Sequence, residues 1–198
     1  MLTPGARVKD IFEHGAALKL ECASKLQFVV VLAAQRVIST IRFGNKILAC
    51  GNGGSAADAQ HFSSELLNRF EQDRDGLAAF SLTTDASTLT SIANDYDFSQ
   101  VFAKQIRALG RADDVLLAFS TSGKSPNIVQ AIQAAHIQKM SVILVSGRDG
   151  GPAASNLNAG DIEIRVPSDS TARIQEIHLT VIHCLCDLLD REIIGESK

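Results

Sequence analysis

Apolar residues recur along the chain with two alternating periods. From residue 5 to 43 the spacing is helical: Val8, Ile11, Phe12 and Leu18 lead into Leu26, Val29, Val30, Ala33, Val37 and Ile41. Gly44-Asn45 ends that run. Beyond it, short apolar segments alternate with amphipathic ones. The pattern predicts strands at 46–51, 77–83, 114–119, 141–146 and 161–166. It predicts helices at 55–70, around 86–93, at 98–109 and 125–138, near 150–157, and at 170–193. Apolar strands separated by helices imply an α/β fold, a three-layer sandwich in which helices cover both faces of a five-stranded parallel sheet. No linker or repeat divides the chain, so residues 1–198 read as one domain, with residues 1–44 as an N-terminal helical extension. That first helix is either a layer of the domain or a surface on which copies of the chain meet, and the pattern leaves both open.

Composition narrows the function classes. The chain has 45% hydrophobic and 21% charged residues, as ordinary globular proteins do. A formal net charge of −3 gives no broad basic footprint for nucleic acid, so an anionic ligand has to be held by local donors. Cys22, Cys50, Cys184 and Cys186 show no zinc-finger spacing and read as reduced, mostly packed thiols. The opening residues lack the apolar core of a secretory signal. The longest apolar run, Phe28 to Ala34, is far short of the ~20 residues that cross a bilayer. A cytoplasmic location is expected.

In an open parallel sheet, ligands bind beyond the carboxyl ends of the strands. Two such ends are rich in anion-binding chemistry. After the first strand comes Gly51-Asn52-Gly53-Gly54-Ser55, where glycines let backbone amides approach a ligand and the next helix begins near Ser55 with its positive dipole end. Gly51-x-Gly53-x-x-Ala56 also fits a dinucleotide fingerprint, but the acid at the end of the second strand, Asp85, stands too far along for one. After the third strand comes Ser120-Thr121-Ser122-Gly123-Lys124-Ser125-Pro126. Its hydroxyls gather at a helix start, with Ser125 placed to cap and Pro126 at the first helical position, which suits phosphate oxygens. A triphosphate-binding loop is excluded because position 118 is Ala where that motif needs Gly. Asn94-Asp95 adds a polar pair near the exit of the second strand, suited either to sugar hydroxyls or to an ordinary turn.

The acid–base candidates lie on two helices. His61 and Glu65 are four apart and share a helix face beside the apolar stripe Ala59, Phe62, Leu66 and Phe70. On the last helix Gln175 and His183 lie off the apolar seam, while His178 lies in it and reads as a hydrogen-bonded core histidine. His61, Glu65, Gln175 and His183 form a mixed nitrogen and oxygen set that suits a divalent ion such as zinc. Gln175 and His183 are eight residues apart, ~12 Å along a helix axis, so both side chains would have to lean toward one ion.

Taken together, CGNGGSAADAQHFSSELLNRF from Cys50, LTSIANDY from Leu89, STSGKSPN from Ser120 and RIQEIHLTVIH from Arg173 resemble the bacterial phosphoheptose isomerase family of the sugar-isomerase (SIS) domain superfamily. The likeness extends along nearly the whole chain. It implies an SIS-type fold and the interconversion of sedoheptulose 7-phosphate and D-glycero-D-manno-heptose 7-phosphate, toward ADP-heptose and the lipopolysaccharide core. It implies substrate contacts at Asn52, Gly53, Gly54, Asn94, Asp95, Ser120, Thr121, Ser122, Ser125 and Gln175, with Ser55 added from the loop chemistry. It implies acid–base work by Glu65 and His183, one zinc per site at His61, Glu65, Gln175 and His183, and a homotetramer with sites at subunit interfaces. Lys124 departs from the family pattern, in which Asn is frequent. A related SIS protein binds the bacterial replication initiator without isomerase chemistry. The position matching His183 is not histidine there, which favours the enzyme here.

Overall fold

The computed structural model describes residues 2–194; Met1 and residues 195–198, the two ends of the expected domain, lie outside the described residues. The chain opens with α1 (Pro4–Arg42), where the Thr3 hydroxyl accepts from the Ala6 amide at 3.2 Å and Pro4 takes the first helical position. The order then runs β1 (Ile47–Cys50), α2 (Gly54–Leu67), β2 (Ala79–Ser81), α3 (Ala86–Asp95), a 3₁₀ turn at Phe98–Gln100, α4 (Val101–Leu109) and β3 (Val115–Ser120). It closes with α5 (Pro126–Ile137), β4 (Ser141–Gly147), α6 (Gly151–Ser155), β5 (Ile162–Val166) and α7 (Thr171–Ile194).

The five strands form one parallel sheet in the order β2-β1-β3-β4-β5. Side chains alternate between its faces as the two-residue period requires. Ile47, Ala49, Val115, Leu117, Phe119, Ile143 and Val145 pack toward α1, α2 and α7. Leu48, Cys50, Leu116, Ala118, Val142 and Leu144 pack toward α4 and α5. The expected three-layer sandwich is therefore present, with both faces of the central strands fully buried.

Several element boundaries shift by one to three residues from the sequence reading, and two of the shifts bear on the site. The second strand shrinks from 77–83 to Ala79–Ser81, as an edge strand paired on one side. The helix expected to reach residue 70 stops at Leu67, and Phe70 packs against the core from the loop beyond it. Of the two readings of the first helix, the layer is present in its later part. Cys22, Leu26, Val30, Ala33, Ala34 and Val37 join the core and make the later part of α1 a layer. Val8, Phe12, Leu20 and Phe28 stay 55 to 81% exposed along it. All four cysteines are free; Cys22, Cys50 and Cys186 are buried and Cys184 is exposed.

Candidate active site

The strand order reverses between β1 and β3, since the chain leaves β1 toward β2 and returns on its other side. A crevice therefore opens at the carboxyl ends of these two strands, and both anion loops sit there. They are joined directly. Asn52 Nδ2 donates to Asn127 Oδ1, and Asn127 Nδ2 donates to Asn52 Oδ1, both at 2.8 Å. Asn127, in the first turn of α5, is only 3% exposed. The reciprocal amide pair gives each side chain one donated and one accepted bond and fixes one loop against the other. Sequence reading passed over Asn127 inside its motif, because its partner is 75 residues away.

The glycine loop turns into α2 at Gly54. The amides of Ser55 and Ala56 are used on the carbonyls of Asn52 and Gly53, both at 3.0 Å. Gly53 and Gly54, both exposed, carry the amides that these turns do not use. Ser55 is 4% exposed and lies beneath the loop rather than at its rim. A Cβ on Gly54 would collide with the Gln175 side-chain amide, which would have to swing aside. In the second loop Ser120 Oγ accepts from the Gly123 amide at 3.1 Å and Ser122 Oγ accepts from the Lys124 amide at 3.2 Å. Each hydroxyl keeps its hydrogen for a ligand oxygen. Gly123 has φ of +63°, and a Cβ on it would strike the Gly150 carbonyl. Ser125 occupies the capping position of α5 without a side-chain capping bond, and Thr121 is half-buried. Asn94 and Asp95 are exposed at the end of α3, where Asn94 Nδ2 donates to Asp95 Oδ1 at 2.9 Å. They form a pair of their own.

The two helices bring the acid–base candidates together. His61 Nε2 lies 3.1 Å from Glu65 Oε1 and 3.2 Å from His183 Nε2, across 122 residues of sequence. The Phe70 ring covers His183 with a centroid separation of 5.7 Å. Gln175, on the same helix as His183 but two turns earlier, lies against Gly54. Among the described residues, no group of three or more His, Cys, Asp or Glu side chains is closed enough to hold a metal ion as it stands. Both contacts of His61 are of hydrogen-bond length.

Beneath the site is a second polar pair. His178 is fully buried, and its Nε2 donates to the Ser146 carbonyl at 3.1 Å, as expected of a core histidine. That bond leaves Nδ1 as a bare lone pair, 3.9 Å from Asp58 Oδ2, and neither atom has a hydrogen-bond partner. Burial raises the Asp58 carboxyl to about 6 and lowers the imidazole of His178 to about 4, the Ser146 bond opposing the latter.

The SIS domain family model matches residues 12–147, and the chain belongs to that family. It is 58% identical over 189 residues to the phosphoheptose isomerase of Halorhodospira halophila, covering 96% of each chain. It is 57% identical over 192 residues to that of Thiobacillus denitrificans, covering 97% of this chain and 98% of the relative. Among solved structures, a phosphoheptose isomerase from Francisella tularensis superposes with a TM-score of 0.94 at 46% identity, over 96% of this chain and all of the other. Likeness of this degree along whole chains makes this protein an enzyme of the sugar-phosphate isomerase kind, and bears out the resemblance read from its motifs. Among the described residues, no helix is long and apolar enough to cross a membrane.

The Asp58–His178 pair generates a prediction about stability. Between pH 4 and 6 the folded pair holds one proton, on Asp58, and the unfolded pair also holds one, on the histidine. The pair should contribute little slope of stability with pH. Asp58→Asn leaves a histidine whose folded pKa is depressed, so stability should fall as pH drops from 6.5 toward 4. His178→Gln leaves an acid whose folded pKa is raised, so stability should rise as pH drops from 6 toward 3.8. Urea midpoints across this range measure both slopes. Identical slopes in wild type and the two variants would contradict the assignment.

Proposed function

We propose that the chain converts sedoheptulose 7-phosphate to D-glycero-D-manno-heptose 7-phosphate, on the route to ADP-heptose and the lipopolysaccharide core. The observation that carries this reading is the meeting of His61, Glu65 and His183 beside two loops built for anions and hydroxyls. The named relatives support the choice of sugar.

Aldose–ketose isomerisation moves a proton between C1 and C2 through an enediol. It needs a base at carbon and a donor at oxygen. Glu65 takes and returns the proton at carbon. The His183 ring passes protons to and from the sugar oxygens, a task suited to an imidazole near neutral pH. The loop from Ser120 to Ser125 holds the phosphate, so binding energy far from the reacting carbons is used to orient them. The glycine loop, with Asn52, Gly53 and Gly54, addresses the sugar, joined by Gln175, Asn94 and Asp95. Ser55 supports the loop from beneath.

In this reading His61, Glu65, His183 and Gln175 would hold one divalent ion: two imidazoles, a carboxylate and an amide oxygen suit it in chemistry, and the first three already meet at 3.1 and 3.2 Å, while Gln175 would have to turn from Gly54 toward them. When bound there, zinc would polarise the substrate carbonyl as a Lewis acid. The reading also includes a homotetramer in the cytoplasm. The exposed apolar residues of α1, beside a groove of about 350 Å³ between α1 and α7, suit contact with further copies.

NMR of the protein incubated with sedoheptulose 7-phosphate should show the aldose growing in. Glu65→Gln and His183→Asn should each slow that reaction by ~10²- to 10⁴-fold with the fold intact. Near-native turnover by either variant would overturn its role. Elemental analysis of protein purified without chelator should find one zinc per active site, lost in His61→Ala. Equal zinc in both proteins would remove the metal from the account.

A further inference from the structure

Glu65 sits in the last full turn of α2, where helix carbonyls run out of intrahelical partners. Two of these carbonyls are met by a single side chain. Arg74 Nη2 donates to the Glu65 carbonyl at 2.8 Å, and Nη1 donates to that of Leu66 at 2.9 Å. Arg74 lies in the segment between α2 and β2, yet its side chain is only 4% exposed. Its Nε donates to Asp190 Oδ1 at 2.6 Å, and Asp190 is equally buried. Asp190 is on α7, seven residues beyond His183, so the two lie on nearly one face, within ~20° of each other. One guanidinium thus ties the backbone of the carboxylate-bearing turn to the helix that carries His183. Cys186 marks the same spot: its thiol is pushed up to about 12 by burial and by nearby Glu65 and Asp190, with Arg74 acting the other way.

A role confined to stability accounts poorly for this arrangement. A buried ion pair gains little over a well-packed apolar pair, and here Asp190 Oδ2 is left buried without a hydrogen-bond partner. What the pair does supply is geometry. The planar fork of arginine sets two carbonyls and one carboxylate in fixed relation, which a lysine ammonium cannot do.

We infer that Arg74 is a positioning residue for the reaction, holding the α2 turn that bears Glu65 in register with the α7 face that bears His183. This inference rests on the acid–base reading above. A small misplacement of a catalytic group costs up to ~10²-fold in rate. Arg74→Lys should therefore lower kcat by roughly 10- to 100-fold. KM should stay within about twofold, because the substrate loops at β1 and β3 do not depend on Arg74. Millimolar guanidinium should restore part of kcat to Arg74→Ala. Should that variant fail to fold, Arg74→Lys carries the test alone.

A readout independent of turnover is the NMR of the histidine rings. The signals of His61 and His183 should move in Arg74→Lys, while that of His136, on α5 across the sheet, should not. A variant with lowered melting temperature but native kcat and unmoved His61 and His183 rings would overturn the inference. If wild type fails to isomerise sedoheptulose 7-phosphate, the acid–base reading falls, and the ring signals alone decide whether Arg74 sets the two helices: shifted signals support it and unmoved ones refute it.

Discussion

Parallel strands send every strand-to-helix loop to the same edge of the sheet, and the order β2-β1-β3-β4-β5 opens that edge between β1 and β3. The site depends on this constraint. The glycine loop and the hydroxyl loop come from strands that are neighbours in space, so a pair of asparagines can join them. The helices that follow β1 and β5 lie on one face of the sheet, where α2 and α7 pack together and deliver His61 and Glu65 against His183. Change the strand order and these residues have no reason to meet.

The site is held by polar side chains placed where burial is costly. Asp58, Asn127, His178 and Asp190 are all less than 9% exposed. Asn127 has a partner at both its amide oxygen and its amide nitrogen, whereas Asp58, His178 and Asp190 each leave one buried atom without a hydrogen-bond partner. Asp58, His178 and Asp190 lie on α2 and α7, the helices that carry His61, Glu65 and His183, and Asn127 lies at the loop end of α5. Their distribution follows the chemistry: apolar packing supplies the stability, and the imperfectly satisfied groups set distances near the reacting centre.

Much of this was legible in the sequence, for identifiable reasons. The strands are short apolar runs between amphipathic helices, so their number and parallel arrangement follow from period alone. His61 and Glu65 are local to one helix, and His178 betrays its core position by lying in the apolar seam of α7. What the sequence hides is partnership across distance. Asn127 and Asn52 are 75 residues apart, and Arg74 and Asp190 are 116 apart. Arg74 in a charged stretch, EQDRDG, reads as an ordinary solvated loop residue, and only the packed structure reveals that it is buried. The early end of α2 has the same origin, since the loop must leave the helix at Asn68 to bring Arg74 back under the Glu65 carbonyl.

The central claim is that this packing creates a proton-transfer pair rather than merely a binding pocket. The most direct test is to run the reaction with sedoheptulose 7-phosphate in deuterium oxide and read the aldose product by NMR and mass spectrometry. Proton transfer through an enediol, with an acid–base group that exchanges with solvent, places deuterium at C2 of the aldose. A product that forms at full rate with the original substrate hydrogen wholly retained at C2 would point to a hydride shift and contradict the role given to Glu65.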